Sequence, residues 1–212
     1  MQSKNTVPTA VIKRLPRYHR YLGDLLWDGV TKISSGALSK KMRVTASQIR
    51  QDLNHFGGFG QQGYGYNVES LYHEISSILG ADQDYGAILV GAGNLGQAIT
   101  WNVNFAKRGV RLLALFDIDP EKVGTVVGDC TVYHMDELET FVSAHKPAIA
   151  ILTLPKAATS DVADRLHKLG VRGLWNFSNM ELAASDRYRV ENVHLGDSLM
   201  TLCYSLKTSE EE

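Results

Sequence analysis

No stretch of this chain reaches the roughly 18 to 20 consecutive apolar residues that a membrane-crossing helix needs, and the opening MQSKNTVPTA lacks the apolar segment of a secretory signal. These absences predict a soluble, cytoplasmic protein with no membrane partner. Cysteine is scarce too. Cys130 and Cys203 are the only two in 212 residues, far apart and outside any Cys-x-x-Cys or Cys/His cluster. That argues against a disulfide framework or a zinc site and predicts buried thiols. The length suits one medium domain with a small one, or a single larger domain.

A net charge of -1 conceals an asymmetry, because residues 1 to 63 carry ten Lys and Arg against three Asp and Glu. That is a surplus of +7, which leaves -8 for the remainder. A basic module joined to an acidic one points to a polyanionic partner for the front end.

Ile12, Leu15, Tyr18, Leu22 and Leu25 form an apolar stripe over residues 9 to 28, between Pro8 and Gly29, which predicts an amphipathic helix. A short helix over 35 to 41 follows. Thr45-x-x-Gln48 then has the form of a capping box opening a third helix, whose Ile49 and Leu53 face inward. Such a trio is the pattern of a helix-turn-helix, whose last helix can enter the major groove. The segment HFGGFGQQGYGY (55 to 66) interleaves five glycines with four aromatics. It reads as a short hairpin, the wing of a winged helix, with a linker as the alternative. Val68, Leu71, Ile75, Ile78 and Leu79 predict a further helix ending at Gly80, and ADQD (81 to 84) marks the domain boundary.

Beyond it the pattern changes. GAILV (86 to 90), RLLALFD (111 to 117), AIAILT (148 to 153) and VRGLWNF (171 to 177) are short apolar runs, and helical stretches near 136 to 145 and 156 to 169 alternate with them. Alternation of this kind predicts an α/β fold with a doubly wound parallel sheet. From about Val193, Leu195, Leu199, Leu202, Cys203 and Leu206 share one helical face. This terminal helix packs either on its own sheet or into a partner subunit.

Gly91-Ala92-Gly93-Asn94-Leu95-Gly96 follows a strand, opens a helix and precedes Asp117 at the end of the next strand. That context turns a weak fingerprint into a dinucleotide site. Gly91 permits the turn, Gly93 lets backbone approach a pyrophosphate, and Gly96 allows close helix packing. Asp117 is placed to accept from ribose hydroxyls, and no Arg follows to welcome a 2′-phosphate, so NAD(H) is expected over NADP(H). Thr153, Leu154, Pro155, Asn176 and Phe177 end later strands and are expected to line the nicotinamide half. Asp119, before Pro120, reads as a turn residue.

Catalytic chemistry is missing. The seven histidines show no His-x-x-x-His or His-Glu-x-x-His spacing, and the nucleotide-binding half has no Gly-x-Ser-x-Gly or Tyr-x-x-x-Lys. No catalytic or metal-ligating residue is assigned, and few residues remain for a substrate domain. The alternatives from the residues are a small NAD(P)-dependent oxidoreductase with an N-terminal extension, or a CoA-binding module.

ASQIRQDLNHFGGFGQQGYGYNV (46 to 68), GAGNLGQA (91 to 98), FDIDPEKVG (116 to 124), LTLP (152 to 155) and VENVHL (190 to 195) together resemble the Rex family of bacterial redox-sensing repressors. The likeness spans nearly the whole chain. It implies a winged-helix domain over 1–82, a Rossmann domain over 83–192, and a terminal helix over 193–212 swapped between the subunits of a homodimer. It also implies palindromic operator DNA released when NADH binds. By matching motif, Thr45, Ser47, Gln48 and Arg50 would lie on the recognition helix, with Lys40, Lys41 and Arg43 as phosphate contacts. The family usually carries Lys where Gln51 stands and Lys/Arg-Arg where Gln61 and Gln62 stand, which predicts an altered operator preference or shallower salt dependence. It commonly has Tyr at Asn102 and, in the sister subunit, Asp at His194, with Arg20 matching the usual Arg partner. An Asn102/His194 relay would add pH sensitivity to sensing.

Overall fold

Apolar residues at alternating four- and three-residue spacing build the first helix of the computed structural model, which describes residues 7–56, 65–184 and 188–209. Helix α1 (Thr9–Trp27) buries Val11, Leu15, Tyr18, Leu22 and Leu25. Val11 takes the place expected of Ile12, which is exposed, because the 11, 15, 18, 22, 25 progression keeps one face without a break. The chain divides into two compact units, Met1–Asp82 and Gln83–Glu212.

In the first unit, strand β1 (Lys32–Ile33) is followed by α2 (Ser35–Met42), α3 (Ala46–Asn54), β2 (Tyr66–Asn67) and α4 (Val68–Leu79). β1 and β2 pair antiparallel, with Ile33 opposite Tyr66. Most of the anticipated wing, Gln61 and Gln62 included, lies outside the described residues. Ser34, Thr45 and Asn67 each accept a backbone N–H at the start of α2, α3 and α4, as short polar N-cap side chains do. Gly80 ends α4 in the left-handed conformation at φ 72°, the glycine stop expected there. Leu15, Leu22, Leu38, Ile49, Leu53, Leu71 and Ile75 make the core.

The second unit contains β3 (Tyr85–Val90), α5 (Asn94–Asn102), β4 (Val110–Asp117), β5 (Val126–Val127), β6 (Cys130–His134), α6 (Leu138–His145), β7 (Ile149–Leu152), α7 (Lys156–Lys168), β8 (Gly173–Asn176), β9 (Arg189–Asn192) and α8 (Leu195–Ser209). Its seven strands run in the order β5-β6-β4-β3-β7-β8-β9. All neighbours are parallel except the β5/β6 hairpin. The chain therefore reverses direction of winding between β3 and β7, and the carboxyl ends of those strands form the crevice where such sheets receive ligands.

Ile88, Val90, Phe116 and Leu152 face Leu138, Val142, Val162 and Leu166 on one side of the sheet. Leu89, Leu115 and Ile151 face the other, where Ile99 packs. That second face is left partly open over β7 to β9, where a cavity of about 430 Å³ is lined by Phe105, Ile151, Trp175 and Val190 among others. Helix α8 stands apart, since Leu195, Leu199, Met200, Leu202, Tyr204 and Leu206 are all more than half exposed. Cys203 is exposed beside them, contrary to the expectation of a buried thiol, while Cys130 is buried. Among the described residues, no helix is long and apolar enough to cross a membrane, and no cluster of His, Cys, Asp or Glu could hold a metal ion.

Candidate functional sites

The glycine loop is shaped by the backbone of the neighbouring strand. Gly91 has φ 102° and a Cβ there would lie 2.6 Å from the Thr153 carbonyl oxygen, so only glycine fits. A Cβ on Gly96 would run into the Gly91 carbonyl oxygen and crowd Thr153 Oγ1. Thr153 Oγ1 donates to the Gly91 carbonyl at 2.7 Å, and the Thr153 N–H donates to the Val90 carbonyl at 3.0 Å. Thr153 thus clamps the loop across the crevice, a second-strand support that no local motif announces.

Gly93 is different in kind. No protein atom lies within 4 Å of where its Cβ would be, so nothing in the protein requires glycine there. It is the N-cap of α5 and has no side-chain cap hydrogen bond. A bare backbone beside the free N–H groups and positive dipole end of a nine-residue helix forms a cradle that fits a diphosphate. Ala92 is buried and accepts Gln97 Nε2 on its carbonyl, Leu95 packs into the core, and Asn94 is exposed.

Asp117 ends β4 at the same crevice, 9 % exposed. Its Oδ1 accepts the Asp119 N–H at 2.9 Å, and Asp119 Oδ1 accepts the Glu121 N–H at 3.0 Å, a tight Asp-Pro turn. Its Oδ2 lies 3.5 Å from Lys122 Nζ. The glycine cradle and this carboxylate together fit an adenine dinucleotide.

The other expected lining residues separate into two groups. Leu154 is half-buried and Pro155 is exposed as the N-cap of α7, while Phe177 packs against Trp175 at 4.6 Å. Asn176 is instead fully buried, with Nδ2 donating to the Met180 carbonyl and Asn192 Oδ1, and Oδ1 accepting from Ser178 N–H and Oγ. Its donors and acceptors are all used. It braces the loop after β8 and has none left for a ligand.

Asn102 and His194 have partners of their own within the chain. Asn102 Nδ2 donates to the Ala98 carbonyl at 2.7 Å, and His194 Nε2 lies 2.8 Å from Glu181 Oε2. Arg20 lies with its guanidinium 5.6 Å over the Tyr21 ring.

In the first unit, α2 and α3 meet at Arg43, which adopts φ 53°. Lys40, Lys41 and Arg43 are exposed around this turn, as are Thr45, Ser47, Arg50 and Gln51 along α3. Arg50 Nη1 is held at 3.1 Å by Ser35 Oγ. Gln48 corrects the expectation of a complete capping box and of a groove-facing side chain. Thr45 caps Gln48 N–H at 3.1 Å, but Gln48 Nε2 turns back to Asp52 Oδ1 at 2.8 Å.

Asp52 was missed because it looks like a surface residue, yet it is 0 % exposed. Arg14 donates to both its oxygens at 2.7 Å and Tyr18 Oη donates at 2.9 Å. Burial alone would raise the Asp52 pKa, but the hydrogen bonds from Arg14, Gln48 and Tyr18 outweigh it and hold the carboxyl below its ordinary value. Burial and the same carboxylate push the Tyr18 phenol up.

A helix-turn-helix unit followed by a nucleotide-binding Rossmann unit is the architecture of a ligand-responsive DNA-binding regulator. Residues 6–54 match the family described as "Putative DNA-binding protein N-terminus" and residues 82–180 the family described as "CoA binding domain". The chain is 52 % identical over 210 residues to the redox-sensing transcriptional repressor Rex of Thermoanaerobacter sp. (strain X514), covering 99 % of this chain and 94 % of the relative. It is 48 % identical to that of Clostridium novyi (strain NT), covering 97 % and 98 %. Two crystal structures superpose with a TM-score of 0.88, covering 98 % of this chain. One is of RSP in complex with beta-NAD+ and operator DNA, at 52 % identity and 95 % coverage of that chain; the other is of RSP with beta-NADH, at 49 % and 97 %. The chain belongs to the Rex family of redox-sensing transcriptional repressors.

Proposed function

We propose that this protein represses transcription by binding operator DNA through α3 and that NAD(H), held on the Gly91 to Gly96 loop and Asp117, selects between its bound and released forms. The observation that carries this reading is the joining, in one chain, of an exposed basic helix-turn-helix to a dinucleotide cradle with no catalytic group assigned beside it. A dinucleotide read this way supplies a difference in binding energy between its oxidised and reduced forms. The protein acts on DNA in the cytoplasm and is not an enzyme.

The working form is a homodimer, so that two copies of α3 address a palindromic site. The uncovered apolar length of α8 supports this, because six large hydrophobic side chains in water call for a partner surface. Arg50 is the candidate for base reading, with Ser47 and Gln51 beside it and Lys40, Lys41 and Arg43 set for phosphates. Leu154, Pro155 and Phe177 line the nicotinamide half, while Asn102, His194 and Arg20 couple the sites across the dimer. The domains are 1–82, 83–192 and 193–212.

A gel shift with operator DNA, titrated with NADH and NAD+, tests the proposal. NADH is expected to release the DNA at concentrations where NAD+ does not. By linkage, operator must then weaken NADH binding by the same factor. Equal NADH affinity with and without operator excludes the mechanism. Binding of CoA in preference to either dinucleotide would move the chain to the class named by its second family match.

A further inference from the structure

The ribose carboxylate has a cationic neighbour that sequence spacing does not reveal. Beyond Asp117, the Asp119-Pro120 turn folds the chain back so that Lys122 Nζ lies 3.5 Å from Asp117 Oδ2 and 3.1 Å from Asp119 Oδ2. The Lys122 side chain is 34 % exposed, so it stands at the mouth of the site and is not sealed beneath it. Asp119 in turn is tied to the Glu121 N–H. The result is a compact group of two carboxylates and one ammonium, with net charge -1, at the end of β4.

Ribose hydroxyls donate to a carboxylate at this position, so a group carried on the 2′-oxygen must enter beside Asp117. A 2′-phosphate brought there meets repulsion from Asp117 and attraction from Lys122 at once. We propose that Lys122 is a specificity-determining residue of the dinucleotide site: it orients Asp117 for the ribose diol and is the cation that would receive a 2′-phosphate. The inference rests on the NAD(H) reading given above. Its consequence is that rejection of NADP(H) rests chiefly on Asp117, with Asp119 adding to it, while Lys122 limits how deep that rejection goes. Arg is the usual residue for welcoming a 2′-phosphate, and here a lysine five positions beyond the acid occupies the same chemical role.

Calorimetry on the full-length protein with NADH and NADPH tests this in five forms: wild type, Lys122→Gln, Asp117→Ser, and Asp117→Ser combined with Lys122→Gln or with Lys122→Arg. Wild type is expected to prefer NADH. Asp117→Ser should shift the NADPH to NADH affinity ratio toward NADPH by about tenfold or more, the scale of a hydrogen bond to a charged group. Adding Lys122→Gln should cancel most of that shift, and Lys122→Arg should preserve it. Lys122→Gln alone should weaken NADPH more than NADH, with a shallower salt dependence for NADPH. A lysine that merely tethers the turn would change melting temperature and weaken both dinucleotides equally. The assignment is overturned if the ratio is unmoved by Lys122→Gln in both backgrounds while NADH still binds wild type. If wild type binds neither dinucleotide, the NAD(H) reading falls first and the assignment with it.

Discussion

Arg14 grips Asp52 through two hydrogen bonds of 2.7 Å and so ties α3 to α1. Because Asp52 is buried and Arg14 is one-third exposed (33 %), the two partners are not equivalent. Arg14→Ala leaves a buried carboxylate uncompensated and is expected to destabilise the first unit by roughly 2 to 4 kcal/mol, while Asp52→Asn should cost less. The pH response separates them. In wild type the depressed Asp52 pKa contributes stability that is complete above about pH 4 and lost as pH falls through the folded value. In Arg14→Ala the largest of the hydrogen bonds that hold the pKa down is gone, this contribution shrinks, and the variant's deficit relative to wild type narrows as pH is lowered. Denaturant unfolding between pH 3 and 8 checks both statements.

The Thr153 hydroxyl supports the glycine loop from the neighbouring strand, so Thr153→Val keeps the shape and removes the bond to the Gly91 carbonyl. Melting temperature should fall by a few degrees, because a buried carbonyl loses its donor, and NADH affinity should fall by up to about tenfold as the loop loses its fixed shape. Gly96→Ala, which drives a Cβ into the Gly91 carbonyl, should abolish NADH binding. Isothermal titration of the two variants measures the contrast, and an unaffected Gly96→Ala protein would refute the loop assignment.

Arg50 and the lysines should fail differently on DNA. Arg50→Ala is expected to cost about 1 to 3 kcal/mol on operator and to relax specificity, whereas Lys40→Gln and Lys41→Gln should weaken all sequences alike and reduce the salt slope by about 1 each. Neutral Gln51, Gln61 and Gln62 predict a shallower log-log salt dependence than in relatives with basic residues there. Fluorescence anisotropy across salt concentrations with specific and scrambled duplexes distinguishes these outcomes.

Helix α8 presents Leu199 at 60 % and Leu202 at 55 % exposure. On the proposed homodimer, placing Asp at both positions should leave each folded unit intact but shift the protein to monomer and weaken operator binding by an order of magnitude or more, since half of the proposed palindrome is then read. Sedimentation gives the association state and circular dichroism the fold. A variant that stays dimeric would exclude α8 as the interface.

Much of this was legible because it is local. The spacing of Leu15, Tyr18, Leu22 and Leu25 shows a helix, and Gly80 and Thr45 show where helices stop and start, since backbone conformation at such points depends on the residue itself. The Gly91 to Gly96 fingerprint with Asp117 was legible for the same reason. Strands β5, β6 and β9 were not anticipated, because two-residue VV, the short CTVYH and the polar edge run RVEN carry little period-two signal. Sequence could not turn Gln48 away from solvent either, because its amide is captured by a side chain that packing alone buries.

By itself, then, the sequence determined the order of the main helices and of the central strands, the change from helical to alternating architecture, and the glycine positions at which the backbone must turn or approach closely. Tertiary structure decided what charged and polar side chains do. Asp52 becomes an anchor, Asn176 a brace, Thr153 a clamp and Lys122 a neighbour of Asp117, because each outcome depends on partners brought together by folding. Hydrophobic periodicity is encoded one segment at a time, whereas the fate of a charge depends on the depth and company it meets only once the chain has closed.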